Sequence, residues 1–248
     1  MYLPKHFRAG DDDVRALLAG IGTADLVTVT EAGLLATFLP LLYDPGDASA
    51  APAVPRARGA TTAAACRGVA AGASAPADAT VAEPSRIGGA LLGHVARANP
   101  QWSTPAIGEA MVIVHGPDAY VSPSWYPSKA EHGKVVPTWN YTTFHVYGRL
   151  VVHDDPVWVE LLVRRLTERH EAGRPSPWSV DDAPGPFVAG QVRSIVGVEV
   201  VITRFEAKAK WSQNRPAADI DGVEEGLGAV GRLDALDALR RARRAGGG

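Results

Sequence analysis

The chain has 248 residues, 25 Lys and Arg against 27 Asp and Glu, a formal net charge of −2 and one cysteine. Apolar residues make up 46% and charged residues 21%, ordinary for a soluble globular protein. The near-neutral balance excludes a protein that coats nucleic acid by charge alone, and the single cysteine excludes an internal disulfide framework or a multi-cysteine metal site.

The start, MYLPKHFRAGDDD, has no basic segment leading into an apolar run and is not read as a signal peptide. Asp12 or Asp13 can cap a short helix ending near Gly20. Asp25 to Thr30 and Leu34 to Tyr43 are rich in β-branched and apolar residues, and Glu31-Ala32-Gly33 between them predicts a hairpin. From Asp44 to Ile87 the composition changes abruptly: 16 Ala, 5 Pro and 4 Gly in 44 residues, with no aromatic. Such a segment has little bulky surface to bury against its ordering entropy, so residues 44–87 are expected to be a disordered insertion. Cys66 lies inside it and is read as incidental, since an activated thiol needs a positive, structured surrounding.

Strands resume at Ala90 to Val95, then at Ala110 to His115 and Ala119 to Ser122 around an expected turn at Gly116-Pro117-Asp118, then at Trp139 to Val152. Asp154 is expected to cap a helix with Pro156 in its first turn and Gly173 past its end, burying Trp158, Leu161, Leu162 and Leu166. A short helix over Phe187 to Ser194 precedes a last strand from Val196 to Phe205. The pattern predicts one domain over 1–231, a small antiparallel barrel with helices packed on it, mainly β with α. Residues 232–248 are expected to be a basic, flexible tail. No apolar stretch approaches the roughly 20 residues that span a bilayer, so a cytoplasmic protein is expected.

Familiar catalytic motifs are absent from the sequence. There is no GxxxxGK[ST], no GxGxxG after a strand and no GxSxG. The seven histidines form no HxH, HxxxH or HExxH pair, so no metal site is expected. His94, His145 and Tyr141 are the nearest candidates for a general acid or base, and none stands out.

Four short segments instead combine aromatic, amide and basic residues near strand ends: Gly93–Trp102, Gly116–Tyr126, Val136–His145 and Lys208–Pro216. Core packing explains their rings but not the amides and cations beside them. A planar, phosphorylated cofactor needs such residues, with Arg97 and Lys210 for the phosphate and Asn140, Gln213 and Asn214 for a ring edge or ribityl hydroxyls.

The ordered motifs GHVARANPQW, YVSPSWYPSK, VPTWNYTTFHVYG, LTERHE, PWSVDDAP, IVGVEV and KWSQNRP, with the opening MYLPKHF, resemble the PaiB family from Met1 to about Leu227. That resemblance implies an FMN-binding split β-barrel, Greek-key-like with peripheral helices, forming a homodimer with FMN near its interface. It also implies a role as a negative transcriptional regulator, and hence DNA as a partner. By the same resemblance the phosphate falls to His94, Arg97 and Asn99, with Thr37 on the neighbouring strand. Trp139, Asn140 and Tyr141 then lie by the ring, and Lys210, Ser212, Gln213 and Asn214 approach from the C-terminal segment. Three positions depart from the family: Phe38 stands where a His is usual, Ala207 for Gly, and Trp211 for Leu, where a bulkier ring narrows the expected site.

Two further functions fit the sequence. A flavin-dependent oxidoreductase using NAD(P)H has the same cofactor requirement, with a deazaflavin or haem as lesser variants. A scaffold dimer with a vestigial site would explain Phe38 and Trp211. The only basic cluster that offers DNA contact is Arg232, Arg240, Arg241, Arg243 and Arg244, and a solvated helix end explains it as well.

Overall fold

The computed structural model describes residues 1–46 and 88–245. Cys66 and most of the expected insertion, 47–87, lie outside the described residues. Six strands, β1 (Thr23–Thr30), β2 (Gly33–Asp44), β3 (Ala90–Ala96), β4 (Ala110–Val121), β5 (Thr138–His153) and β6 (Ile195–Lys210), close into an antiparallel barrel in the order β1-β2-β3-β6-β5-β4. Two meanders, β1-β2-β3 and β4-β5-β6, are therefore joined by the one connection, β3 to β4, that does not link neighbours. The helices are α1 (Asp11–Ala19), α2 (Ser128–His132), α3 (Pro156–Glu171), α4 (Gly185–Arg193), α5 (Ala217–Ala229) and α6 (Leu233–Ala245). The described chain divides into two compact units: Met1–Ala16 with Ile113–His145 and Glu206–Gly248, here the first unit, and Leu17–Val112 with Val146–Phe205, the second.

In the second unit β1 and β2 form the expected hairpin, with Val29 opposite Leu34 and Thr30 opposite Gly33. Gly33 takes φ +115°, a conformation that a side chain would strain. Leu26, Thr28, Leu39 and Leu41 turn inward, while Leu34 and Phe38 are 71% and 67% exposed on the opposite face. Helix α3 is capped by Asp155, whose carboxylate accepts from Val157 N–H at 3.0 Å, and not by Asp154, which pairs elsewhere. Trp158, Val159, Leu162 and Leu166 bury the helix's apolar stripe against Leu42, Ala90 and Leu92. Burial of each large side chain contributes about 1.5–3 kcal/mol. Below this cluster His153 Nε2 lies 2.7 Å from Glu199 Oε2, both side chains almost fully buried, and the imidazole stacks on Trp158 at 3.9 Å.

The expected turn at Gly116-Pro117-Asp118 is instead part of β4, which runs unbroken from Ala110 to Val121. Its buried positions change from even (Val112, Val114) to odd (Ala119, Val121), the mark of an extra residue in a bulge. Gly116 sits there because a Cβ would come within 2.9 Å of Thr142 Cβ.

The expected flexible tail is also corrected in the first unit. Residues Leu233–Ala245 form α6, and its Ala235, Leu236, Ala238 and Leu239 are buried with Val223 and Leu227 of α5, Tyr126 and Trp211. Helix α5 has no counterpart in the sequence reading, since its three glycines depress helix propensity. Two of them, Gly222 and Gly226, let Trp125 approach so closely that a Cβ at either position would overlap it. The α5 N-terminus is tied down by buried Asp219, which accepts from Ser128 N–H at 3.1 Å and Ser128 Oγ at 2.8 Å.

Candidate functional site

The residues expected at the phosphate, Thr37, His94, Arg97 and Asn99, fall in the second unit. Asn99 and Thr37 do meet, Asn99 Nδ2 donating to Thr37 Oγ1 at 2.9 Å. Asn99 Oδ1 accepts from Gln101 N–H at 2.9 Å, so its side chain caps the 3-10 turn Pro100–Trp102 while its Nδ2 holds Thr37. Gln101, which the sequence reading passed over, is buried and donates to Leu26 O at 3.0 Å and Thr28 Oγ1 at 3.1 Å, holding that turn on the hairpin.

Arg97 is engaged by groups of its own unit. Its guanidinium donates to both Asp154 oxygens, at 2.6 and 3.1 Å, and to Arg193 O at 2.7 Å. The hydrogen bond to Arg97 holds the Asp154 carboxyl below its ordinary pKa. His94 stands apart from that network and faces α3, and burial lowers the pKa of its ring.

The remaining expected residues all fall in the first unit. Along β5, Trp139 and Tyr141 alternate with buried Asn140 and Thr142 and so point away from the core. Trp139 is 54% exposed and meets Tyr120 edge to face, ring centroids 6.0 Å apart. At the end of β6, Lys210 Nζ donates to Thr138 Oγ1 at 2.5 Å. Lys208 Nζ lies 5.4 Å from the Tyr141 ring, and the Arg215 guanidinium 4.8 Å from the Tyr126 ring. Burial lowers the Lys210 pKa, and Lys208 and Arg215 push it the same way.

Among the described residues, none of these three cations has a carboxylate within salt-bridge distance. Lys208, Arg215 and Tyr120 were legible as members of polar, aromatic segments, but nothing in the sequence marks their charges as unpaired.

The turn after β6 is held from within. Ser212 adopts φ +65° without being glycine, and Ser212 Oγ and the Asn140 amide bond each other in the core at 3.0 Å. Gln213 accepts from Trp211 N–H at 2.6 Å and donates to Ala209 O at 2.6 Å, while Asn214 is exposed. Asn140, Ser212 and Gln213 therefore shape the turn, whereas Lys210, Trp139, Tyr141 and Asn214 face outward. Trp211 does not narrow a site. Its ring is buried in the first unit's core, with Nε1 donating to Thr142 Oγ1 at 2.8 Å.

Residues 1–204 match the family model described as "Putative FMN-binding domain". The chain belongs to this family. It is 32% identical to an uncharacterized protein of Aspergillus fumigatus over 176 residues, covering 58% of this chain and 67% of that one. It is also 34% identical over 139 residues to the protease synthase and sporulation protein PAI 2 of Bacillus subtilis, covering 55% of this chain and 64% of that one. This match agrees with the PaiB resemblance read from the motifs. Among solved structures, the FAD and heme binding protein from Mycobacterium smegmatis superposes with a TM-score of 0.48 at 14% identity, covering 86% of this chain and 77% of that one.

FMN is the cofactor by which this family is described. The first unit fits it chemically: a phosphate dianion needs cations that lack internal counter-ions, and a flat ring needs exposed aromatic faces. Lys208, Lys210 and Arg215 supply the first, and Trp139, Tyr141 and Tyr120 the second. The three cations lie just beyond residue 204, where the family match ends. No helix among the described residues is long and apolar enough to cross a membrane.

Proposed function

We propose that the protein is a cytoplasmic FMN-binding homodimer, with the phosphate held at Lys208, Lys210 and Arg215 and the ring against Trp139 and Tyr141. The observation that carries this reading is the set of three cations without carboxylate partners, with Lys208 beside the half-buried Tyr141 ring and Lys210 bonded to Thr138, the neighbour of exposed Trp139. When bound, FMN supplies hydride and single-electron chemistry. The chain supplies charge, ring faces and a turn fixed by the Asn140–Ser212 hydrogen bonds. Support for a second copy comes from the outward face of the hairpin, where Val29, Leu34, Phe38 and Ile107 leave an apolar surface uncovered. FMN titration followed by flavin fluorescence tests the cofactor, with saturable binding at one FMN per chain expected. Sedimentation of Leu34→Glu tests the dimer: a monomer is expected, and an unchanged mass removes the hairpin from the interface.

The role proposed for the flavin protein is regulation of transcription, on the strength of the PaiB resemblance. Flavin-dependent oxidoreduction with NAD(P)H is the second reading, favoured by one observation. Arg232, Arg240 and Arg243 are paired with Asp118 and Asp234, Glu224, and Asp221, which removes much of the charge that the C-terminal helix would offer DNA. Gel shift on genomic fragments and stopped-flow reduction by NADPH separate the two. Flavin reduction no faster than that of free FMN discards the enzyme, and absent retardation discards the regulator.

A further inference from the structure

We propose that the cavity between α3 and the outward face of β2 and β3 is a binding site for a small, uncharged, planar molecule bearing an N–H or O–H donor, which His94 Nδ1 receives. The cavity arises from where the helix stops. Leu42, Ala90 and Leu92 face α3 and are sealed by Trp158, Leu162 and Leu166. Two residues further along each strand the same face presents Pro40 and His94, but α3 ends at Glu171. A space of about 300 Å³ is left, walled by Pro40, Val163, Leu166 and Trp178 and edged by Thr167, His170 and Glu171. That volume is at the small end of ligand sites and suits one or two fused rings.

The polar content of the cavity selects the ligand's charge. His94 Nδ1 is buried with no hydrogen-bond partner, a rare state that a ligand donor would relieve. Burial lowers the pKa of the ring, so at neutral pH it is uncharged and has one nitrogen free to accept. Glu171 offers nothing to a cation, because its carboxylate already takes Trp178 N–H at 3.0 Å and Arg174 at 3.2 Å. No group of three His, Cys, Asp or Glu among the described residues suits a metal ion. An anion would find no Lys or Arg among the lining residues. A neutral aromatic molecule with one donor satisfies His94 Nδ1 and sets no charge against Glu171 or His170 at the cavity edge.

None of the residues proposed for FMN is used here, so the two readings fail separately. The test titrates the full chain, loaded with FMN, with indole and with indene, its carbocyclic analogue lacking the N–H, followed by ligand-observed NMR. Indole is expected to bind at least tenfold more tightly than indene. His94→Phe should bring the two to equal affinity, and Thr167→Trp, which fills the cavity from α3, should abolish both. Flavin absorbance should not change in either variant. Absent indole binding, equal affinity for indole and indene in the unaltered chain, binding that survives Thr167→Trp, or loss of FMN with His94→Phe would each overturn the proposal. If His94→Phe does not fold, the indole-to-indene ratio and Thr167→Trp decide it alone.

Discussion

Arg97 in the second unit and Lys210 in the first are both cations beside a strand end, in motifs that resemble one family. Arg97 makes a two-pronged bond to Asp154 and closes off the carbonyl of Arg193. Lys210 has a threonine hydroxyl, two neighbouring cations and no carboxylate. The second unit uses its polar side chains to hold itself together, as the His153–Glu199 pair and the Gln101 bonds also do. The first also pairs Arg232, Arg240 and Arg243 with carboxylates, but it leaves Lys208, Lys210 and Arg215 without one. The proposed phosphate site follows the availability of charge rather than its presence in a motif.

The largest expected effect tests the structural half of that contrast. His153→Ala leaves the Glu199 carboxylate buried without its partner and should destabilise the protein by about 3–5 kcal/mol in urea denaturation. A loss below about 1 kcal/mol would mean that water reaches the pair. Lys210→Ala, by contrast, should leave stability within about 0.5 kcal/mol. It should instead weaken FMN by ten- to a hundredfold, about 1.5–3 kcal/mol, in a fluorescence titration, with Lys210→Arg retaining most of the affinity. Arg97→Ala should change FMN affinity by less than about twofold, since its donors are already taken. If Arg97→Ala is the more damaging of the two, the phosphate belongs in the second unit.

Trp139→Ala is a smaller test of the same surface. Removing one exposed aromatic face should weaken FMN about three- to tenfold, the range of about 0.5–1.5 kcal/mol for ring contacts. Unchanged affinity would take Trp139 out of the site and leave it a place in the apolar exterior.

Much of the barrel was legible because its strands carry β-branched and aromatic runs bounded by turn residues, and the barrel's order follows from two meanders and one crossover. The features that the sequence does not display are set by distant contacts. Gly116-Pro117-Asp118 has turn composition, yet close packing on Thr142 makes it a bulge. Gly222 and Gly226 look like helix breakers, yet Trp125 requires them inside α5. Arg97 looks like a phosphate ligand, yet its partner lies 57 residues away. The aromatic and polar clustering at Val136–His145 and Lys208–Pro216 was plain in the sequence. Which of those side chains turn into the core and which face outward was decided by strand pleat and by the Ser212 turn.

The smallest expected effect concerns His94, the one residue of the expected phosphate set outside both the Asn99–Thr37 bond and the Arg97–Asp154 pair. Burial lowers its folded-state pKa below the ordinary histidine value of about 6.5. In the window between the two values the unfolded chain holds more protons, so stability rises with pH across it. His94's contribution is therefore complete above about 6.5 and is lost as pH falls through the folded value. His170 and Glu171 on α3 line the same cavity, and His145 is also shifted down by burial, so the His94 contribution is read as a difference from a variant. Between the unaltered chain and His94→Gln, the gap in unfolding free energy should narrow as pH falls below about 6.5. A gap that stays constant from neutral to acid pH would mean that His94 is open to water. Indole adds an independent axis, because it needs the uncharged ring and its affinity should decline over the same window only while His94 is present.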